Sequence, residues 1–361
     1  MKQALTRIKN IAGLVKRKKA QVGKTPAQVV HTENKWKLLR YTPRPEGLEY
    51  KTPILLIPSL INRHYVLDLM PGKSFVEFLV AQGHDVFIID WGTPGDEDRY
   101  LTFDTITDTY IGRAVRKAAS YSPDDKVHVL GYCLGGTLAT IFAAHKPEHV
   151  ASLLPLAAPV SFSVKQNLLS AWTNTKSFDL DAIVEATGNV PWQLLQSSFH
   201  LLRPTMNLAK ATHFIDQAWD NQFLDGFFAI ETWSNDNVSF PGACYKRYIQ
   251  ELYREDRLMD GTFTLHGKPV HLSNITCPVL AITFIHDHIV PLANAEPLMD
   301  AISSEDKEIW KMSGGHVGAV VSRKASKKLW PKISAWFAER DAEVDAEVDQ
   351  DDQDIVHKEA S

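Results

Sequence analysis

"VHVLGYCLGGTLATIFAAHKP", residues 127–147, decides the architecture. Val127, His128, Val129 and Leu130 form a short run of the kind that makes a buried strand, and an apolar helical stretch follows that stops before Pro147. Between them lies Gly131-Tyr132-Cys133-Leu134-Gly135, a Gly-x-Cys-x-Gly turn. A strand that becomes a helix within five residues leaves no room for side chains beside its central residue, which is why glycines flank it. This is the pattern of a nucleophile elbow, with a thiol where many enzymes carry a hydroxyl. The nucleophile stands at the helix's first turn, where unpaired backbone N–H groups and the helix dipole favour negative charge. A cysteine there is expected to have a lowered pKa. The Leu134 N–H is expected to face an oxyanion. A second donor is expected from the loop after "ILLIPSL", near Leu60 or Ile61, with Ile61 the stronger candidate.

The same alternation extends outward from the elbow. "WKLLRYTP" (36–43), "TPILLIPSL" (52–60) and "DVFIIDWG" (85–92) read as strands, and "SFVEFLVAQG" (74–83) and "DTITDTYIGRAVRKAASY" (104–121) as helices. "VASLLPLAAPV" (150–160) is the strand after the elbow helix. Short apolar strands alternating with helices predict an α/β fold, a mostly parallel sheet with helices on both faces. The alternation lapses over 162–272, where Trp172, Trp192, Phe199, Trp219, Phe223, Phe227, Phe228 and Trp233 are spread among helical pieces separated by proline and glycine. It returns with "CPVLAITF" (277–284), "KEIWKMS" (307–313) and a last helix, "ASKKLWPKISAWFAER" (325–340), in which Pro331 marks a kink or the true start. The chain thus divides into a basic segment (1–33), a core (34–161 and 273–340), an inserted cap (162–272) and an acidic tail (341–361) expected to be disordered.

An elbow nucleophile is served by an acid and then a histidine from later strand ends. "VLAITF" runs into "IHDHIVP" and "EIWKMS" into "GGHVG", which nominates Asp287 and His316. His286 and His288 read as plain loop residues, Asp90 as a turn cap, His128 as a core histidine, and Cys244 and Cys277 as structural. Cysteine in place of serine makes the acyl-enzyme a thioester, so exchange with a thioester donor is nearly isoergic and the acyl group stays activated for a slower acceptor. The aromatic insert is placed to keep water from that intermediate.

The totals exclude several classes. Hydrophobic content of 44% and charged content of 23% describe a globular protein, and no apolar run is long enough for a membrane span. Three scattered cysteines argue against a disulfide framework and for a reducing, cytoplasmic setting. No metal-ligand spacing occurs. Net charge is -4, with eight basic residues and no acid in 1–32 and nine acids in 339–354. No basic stripe crosses the body, so nucleic acid is not an expected partner. "ALTRIKNIAGLVKRKKA" (4–20) puts Leu5, Ile8, Ala12 and Val15 on one helical face, suited to a surface or to a strut against the domain.

Six stretches together resemble the polyhydroxyalkanoate synthases: "PSLINRHYVLDL" (58–69), "DVFIIDWGTP" (85–94), "VHVLGYCLGGTLA" (127–139), "ETWSNDNVSFPG" (231–242), "DHIVP" (287–291) and "GGHVG" (314–318). The resemblance implies an α/β-hydrolase core with a cap, and polymerisation of (R)-3-hydroxyacyl-CoA, 3-hydroxybutyryl-CoA above all, with release of CoA. It implies that Cys133 is acylated, that His316 activates its thiol, and that Asp287 with His316 activates the incoming 3-hydroxyl. No metal or bound cofactor is implied, CoA thioester being the substrate. The short length resembles the catalytic subunits of the two-subunit, class III-like synthases. That implies a second, different subunit, a homodimer and association with the polyester granule surface. Two other readings fit the same residues: a cysteine-dependent thioesterase or ester hydrolase, and a non-catalytic granule-binding scaffold.

Overall fold

Val127–Tyr132 (β5) lies inside an eight-stranded sheet, and all six of its residues are buried. The computed structural model describes residues 2–14, 17, 20–163, 173, 175, 178–201 and 206–341. The acidic tail from 342 on, Trp172, and Val15, Lys16, Lys18 and Lys19 of the basic leader lie outside the described residues. The strands before β5 are Ala27–Glu33 (β1), Trp36–Tyr41 (β2), Ile54–Ile57 (β3) and Val86–Asp90 (β4). After it come Val150–Leu156 (β6), a small hairpin of Thr264–Leu265 (β7) and Lys268–Pro269 (β8), Val279–Phe284 (β9) and Lys307–Met312 (β10). The sheet order is β1-β2-β4-β3-β5-β6-β9-β10, parallel except where β1 meets β2 and β2 meets β4.

Both faces of this sheet are covered, which is why its central strands read as unbroken apolar runs. Alternate residues feed two cores. Leu55 and Ile57 of β3, with Phe87 and Ile89 of β4, pack on one side with Leu138 and Phe142 of the elbow helix. Ile54 and Leu56, with Val86 and Ile88, pack on the other with Phe75, Trp330 and Phe337. The helices flanking the sheet include Phe75–Ala81 (α2), Ile111–Ala119 (α3) and Leu134–His145 (α4), after an N-terminal helix Lys2–Ala12 (α1). Ser74 caps α2 by accepting from the Glu77 N–H at 2.9 Å.

Three expectations need correction. The sheet does not begin at residue 34: residues 27–33 form β1, an antiparallel edge strand whose mostly exposed residues give no apolar pattern to read. Pro331 neither starts nor breaks the last helix. The turn Ala325–Leu329 is π-helical, and this wider turn before the proline absorbs its missing N–H, so the helix runs over 323–341. The β7–β8 hairpin stands in a segment read as helical. In the insert the helices are Leu180–Thr187 (α5), Trp192–Leu201 (α6), Met206–Gln217 (α7), Asn221–Ser234 (α8) and Gly242–Arg247 (α9), the last continuing as a π-helical turn over Tyr248–Arg254.

The basic leader rests on this insert by polar contacts. Arg7 donates to the Asp216 carbonyl at 3.0 Å, Asn10 to the Ala218 carbonyl at 2.8 Å, and Arg17 to the Asp225 carboxylate at 2.6 Å. Its apolar residues Leu5 and Ile8 face outward, 63% and 66% exposed. Among the described residues no helix is long and apolar enough to cross a membrane.

Two histidines are buried beneath the sheet's covering helix. His128 shares a hydrogen bond with Ser152 at 2.8 Å, and His84 one with Ser334 at 2.8 Å. Burial pushes both imidazoles down, His84 to about 3, helped by repulsion from His128, and His128 to about 4. In the unfolded chain both take protons near ~6.5. Between those limits the unfolded state carries the extra protons, so folding stability should fall as pH drops from ~6.5 towards ~4, by up to ~1.4 kcal/mol per pH unit per histidine. Urea midpoints measured at about pH 7 and pH 5 should separate, and His84→Gln with His128→Gln should flatten the slope. Equal midpoints would contradict the assignment.

Candidate active site

The elbow predicted from sequence is formed at the C-terminal end of β5. Cys133 has φ 55° and ψ -129°, a strained conformation for a non-glycine residue that lifts its side chain off the sheet edge. The turn is held by the Cys133 N–H bonded to the Leu156 carbonyl at 3.0 Å. The glycines are there because backbone meets backbone. A Cβ on Gly131 would lie 2.4 Å from the Gly136 Cα, and one on Gly135 would lie 2.1 Å from the Ile57 carbonyl oxygen and 2.5 Å from that of Pro58. The first turn of α4 is therefore pressed against the end of β3.

The late strand ends deliver the other two groups. Asp287 follows β9 and His316 follows β10, and the two side chains meet, Asp287 Oδ2 accepting from His316 Nδ1 at 2.7 Å. The second oxygen of Asp287 accepts from the Ile289 and Val290 N–H groups at 2.8 and 2.9 Å, which fixes the carboxylate. Asp287 is fully buried at its side chain. His316 is also electrostatically coupled to Cys133, whose sulfur helps set its pKa. Burial alone would lower the imidazole pKa. Attraction to the Cys133 sulfur and to the Asp287 carboxylate, with the hydrogen bond to Asp287, overcomes this and pushes it up to about 10. The three residues nominated from sequence thus come together, His316 bonded to Asp287 and coupled to Cys133.

Leu134 and Ile61 line the same cavity as Cys133. The Leu134 N–H opens α4 and has no intrahelical acceptor. The loop behind Ile61 is gripped from the insert. Asp236 accepts from Arg63 Nε at 3.1 Å and from the Tyr65 hydroxyl at 2.8 Å, Trp233 Nε1 donates to the Arg63 carbonyl at 3.0 Å, Asn62 donates to Asn237 at 2.5 Å, and the Val238 N–H donates to the Ile61 carbonyl at 3.3 Å.

The residues set aside behave as structure. Asp90 accepts from the Gly92 N–H at 3.1 Å and lies 3.3 Å from His64; His286 and His288 are exposed; Cys244 is buried and Cys277 largely so. Burial pushes the Cys277 thiol up to about 12. Among the described residues no cluster of His, Cys, Asp or Glu is arranged to hold a metal ion.

Other site residues escaped the sequence reading. Tyr132 packs against His316 with tilted rings, centroids 5.3 Å apart, and its hydroxyl donates to the His316 carbonyl at 3.3 Å. The cavity over Cys133, about 80 Å³, is walled by Phe240, Tyr245, Tyr248, Ile249 and Tyr253 of the insert and by Leu195 of α6. The tyrosines follow each other at helical spacing, a signal indistinguishable from ordinary core. The expected aromatic cover is different in part: Phe214, Phe223, Phe227 and Phe228 pack on one another between α7 and α8.

Comparison with known proteins agrees with this fold. Residues 52–318 match the family of the alpha/beta hydrolase fold, and residues 14–79 match the N-terminus of poly-beta-hydroxybutyrate polymerase (PhaC). The chain is 37% identical over 320 residues to a poly(3-hydroxyalkanoate) polymerase subunit PhaC of Haloferax mediterranei, covering 88% of this chain and 65% of that one. It is 36% identical over 321 residues to the subunit of the same name from Allochromatium vinosum, covering 88% of this chain and 90% of the relative. Among solved structures, a hydrolase from Pseudomonas aeruginosa superposes with a TM-score of 0.53 at 13% identity, covering 88% of this chain and 99% of that one, a likeness of fold alone.

Proposed function

Because the chain belongs to the poly(3-hydroxyalkanoate) polymerase PhaC family, we propose that it polymerises (R)-3-hydroxyacyl-CoA into polyester with release of CoA, through a thioester on Cys133. The observation that carries this reading is the hydrogen-bonded pair His316–Asp287, coupled to Cys133 at the floor of a largely apolar cavity.

In acylation, His316 takes the thiol proton, Asp287 stabilises the resulting imidazolium, and sulfur attacks the thioester carbonyl. The Leu134 and Ile61 backbone N–H groups stabilise the oxyanion. The protonated imidazole then delivers its proton to departing CoA. In elongation the neutral imidazole, held by Asp287, accepts the proton of a 3-hydroxyl group as that oxygen attacks the Cys133 thioester. The tyrosine and isoleucine walls exclude water, whose attack would release free acid. The cavity's small volume suits a short acyl chain such as 3-hydroxybutyryl. A second, different subunit, a homodimer and the granule surface complete the proposed assembly. Outward-facing Leu5 and Ile8 support contact with an apolar surface.

The test is thiol release from (R)-3-hydroxybutyryl-CoA, with and without the neighbouring subunit, followed by analysis of the product. Insoluble polyester stoichiometric with CoA is expected. CoA with only free 3-hydroxy acid would mean a thioesterase, and no release in either condition would mean a non-catalytic scaffold.

A further inference from the structure

Ser59 follows β3 by two residues, in the loop that carries Ile61. It is 1% exposed, its hydroxyl has no hydrogen-bond partner, and it lines the cavity that holds Cys133, Leu134 and Ile61. A buried hydroxyl without a partner has lost its hydrogen bonds to water unreplaced, so one that lines a cavity is a candidate to be satisfied by what binds there. Three other hydroxyls of this cavity are differently placed. Ser198 donates to the Leu194 carbonyl at 2.9 Å, and Tyr248 and Tyr253 hydrogen-bond to each other.

The position of Ser59 is fixed closely. The first turn of α4 presses on Ile57 and Pro58, as the 2.1 Å and 2.5 Å approaches at Gly135 show, and Trp91 Nε1 donates to the Pro58 carbonyl at 3.0 Å. Ser59 is the next residue. It follows this pinned backbone directly and lines the same cavity as Cys133 and Leu134.

We propose that the Ser59 hydroxyl is a third oxyanion donor, a side-chain hydrogen bond to the acyl carbonyl oxygen beside the two backbone N–H groups. This rests on Cys133 being the acylated nucleophile. As the Cys133–carbonyl bond forms, the C=O π pair moves onto oxygen. On collapse that pair re-forms C=O, the bond to CoA sulfur breaks with its electrons on sulfur, and His316 supplies the proton. Ser59 donates throughout and transfers no proton. It contributes most when the oxygen is charged, so it raises the acylation rate more than it tightens binding.

Acylation of the full-length protein is measured by rapid quench and by mass of the Cys133 peptide, with three donors: 3-hydroxybutyryl-CoA, butyryl-CoA and p-nitrophenyl butyrate. Ser59→Ala should slow acylation at least about 10-fold, and up to about 10²-fold, by a similar factor on all three, with KM little changed. Ser59→Thr, which keeps the hydroxyl, should restore most of the rate. A loss confined to 3-hydroxybutyryl-CoA would overturn the proposal in favour of a contact to the substrate's 3-hydroxyl. A fall smaller than about 10-fold, or failure of threonine to rescue a correctly folded variant, would also overturn it. The aryl ester separates the two readings: if it acylates Cys133 with the predicted Ser59 dependence while neither CoA thioester does, the polymerase assignment fails and the oxyanion assignment stands.

Discussion

Alanine in place of Cys133 is expected to abolish CoA release, by at least about 10⁴-fold, and to leave the fold intact. The side chain is partly exposed and packs against the core at its edge, so little burial is lost. The chemistry has no substitute. His316 is held to Asp287 through Nδ1, and alanine leaves no sulfur beside it to bond to the acyl carbon. Cys133→Ser is a sharper comparison. It keeps a nucleophile in the same strained elbow, but an oxyester on the serine hydroxyl is a poorer donor to the next 3-hydroxyl than a thioester, so chain growth should fall further than the first acylation. Thiol release and acyl-enzyme mass, measured on both variants beside unchanged thermal melting, decide the matter. Polyester formed by Cys133→Ala at a tenth of the wild-type rate would remove Cys133 from its role.

Asp287→Asn should cost about 10²- to 10⁴-fold with almost no change in shape. The carboxylate uses one oxygen for the Ile289 and Val290 N–H groups and the other for His316 Nδ1. An asparagine must keep its carbonyl on the two backbone donors, because an NH₂ there would face N–H. Its NH₂ then faces Nδ1 and forces the imidazole proton to the nitrogen that serves the sulfur. That tautomer cannot take the thiol proton. The variant also loses the negative charge that helps hold the imidazole pKa high, so the proton leaves His316 at lower pH and the pH–rate profile should shift to lower pH. A rate within about 10-fold of wild type with an unmoved profile would show that the Asp287–His316 contact is merely structural.

How much of this was legible in the sequence follows from how local each signal is. The elbow was legible because steric crowding writes itself as glycine at Gly131, Gly135 and Gly136, whose neighbours leave no space for a Cβ. Asp287 and His316 were legible because parallel strands end on one side of the sheet, so chain order translates into proximity. β1 was not, since an exposed edge strand has no buried face to impose alternation. The tyrosines at 245, 248 and 253 were missed because their periodicity is that of any packed helix. Ser59 gave no signal at all: an unpartnered hydroxyl is a property of surroundings that only the fold assembles. The π-turn before Pro331 was equally hidden, because the sequence marks the missing donor but not the choice between a kink and a wider turn.

The contacts from Asp236, Trp233, Asn237 and Val238 to the loop after β3 divide the roof above the sulfur into two unequal parts. Asp256 fastens the same part at its far end, accepting from Ser161, Phe162 and Ser163 where the chain leaves the sheet. Lifting this part would pull apart the very pocket that stabilises the charged oxygen, so it cannot swing out on each cycle and keep that pocket intact. The opposite wall is α6, where Leu195 and Ser198 line the cavity and Gln196 donates to the Ser234 carbonyl at 3.0 Å, tying this wall to the anchored one.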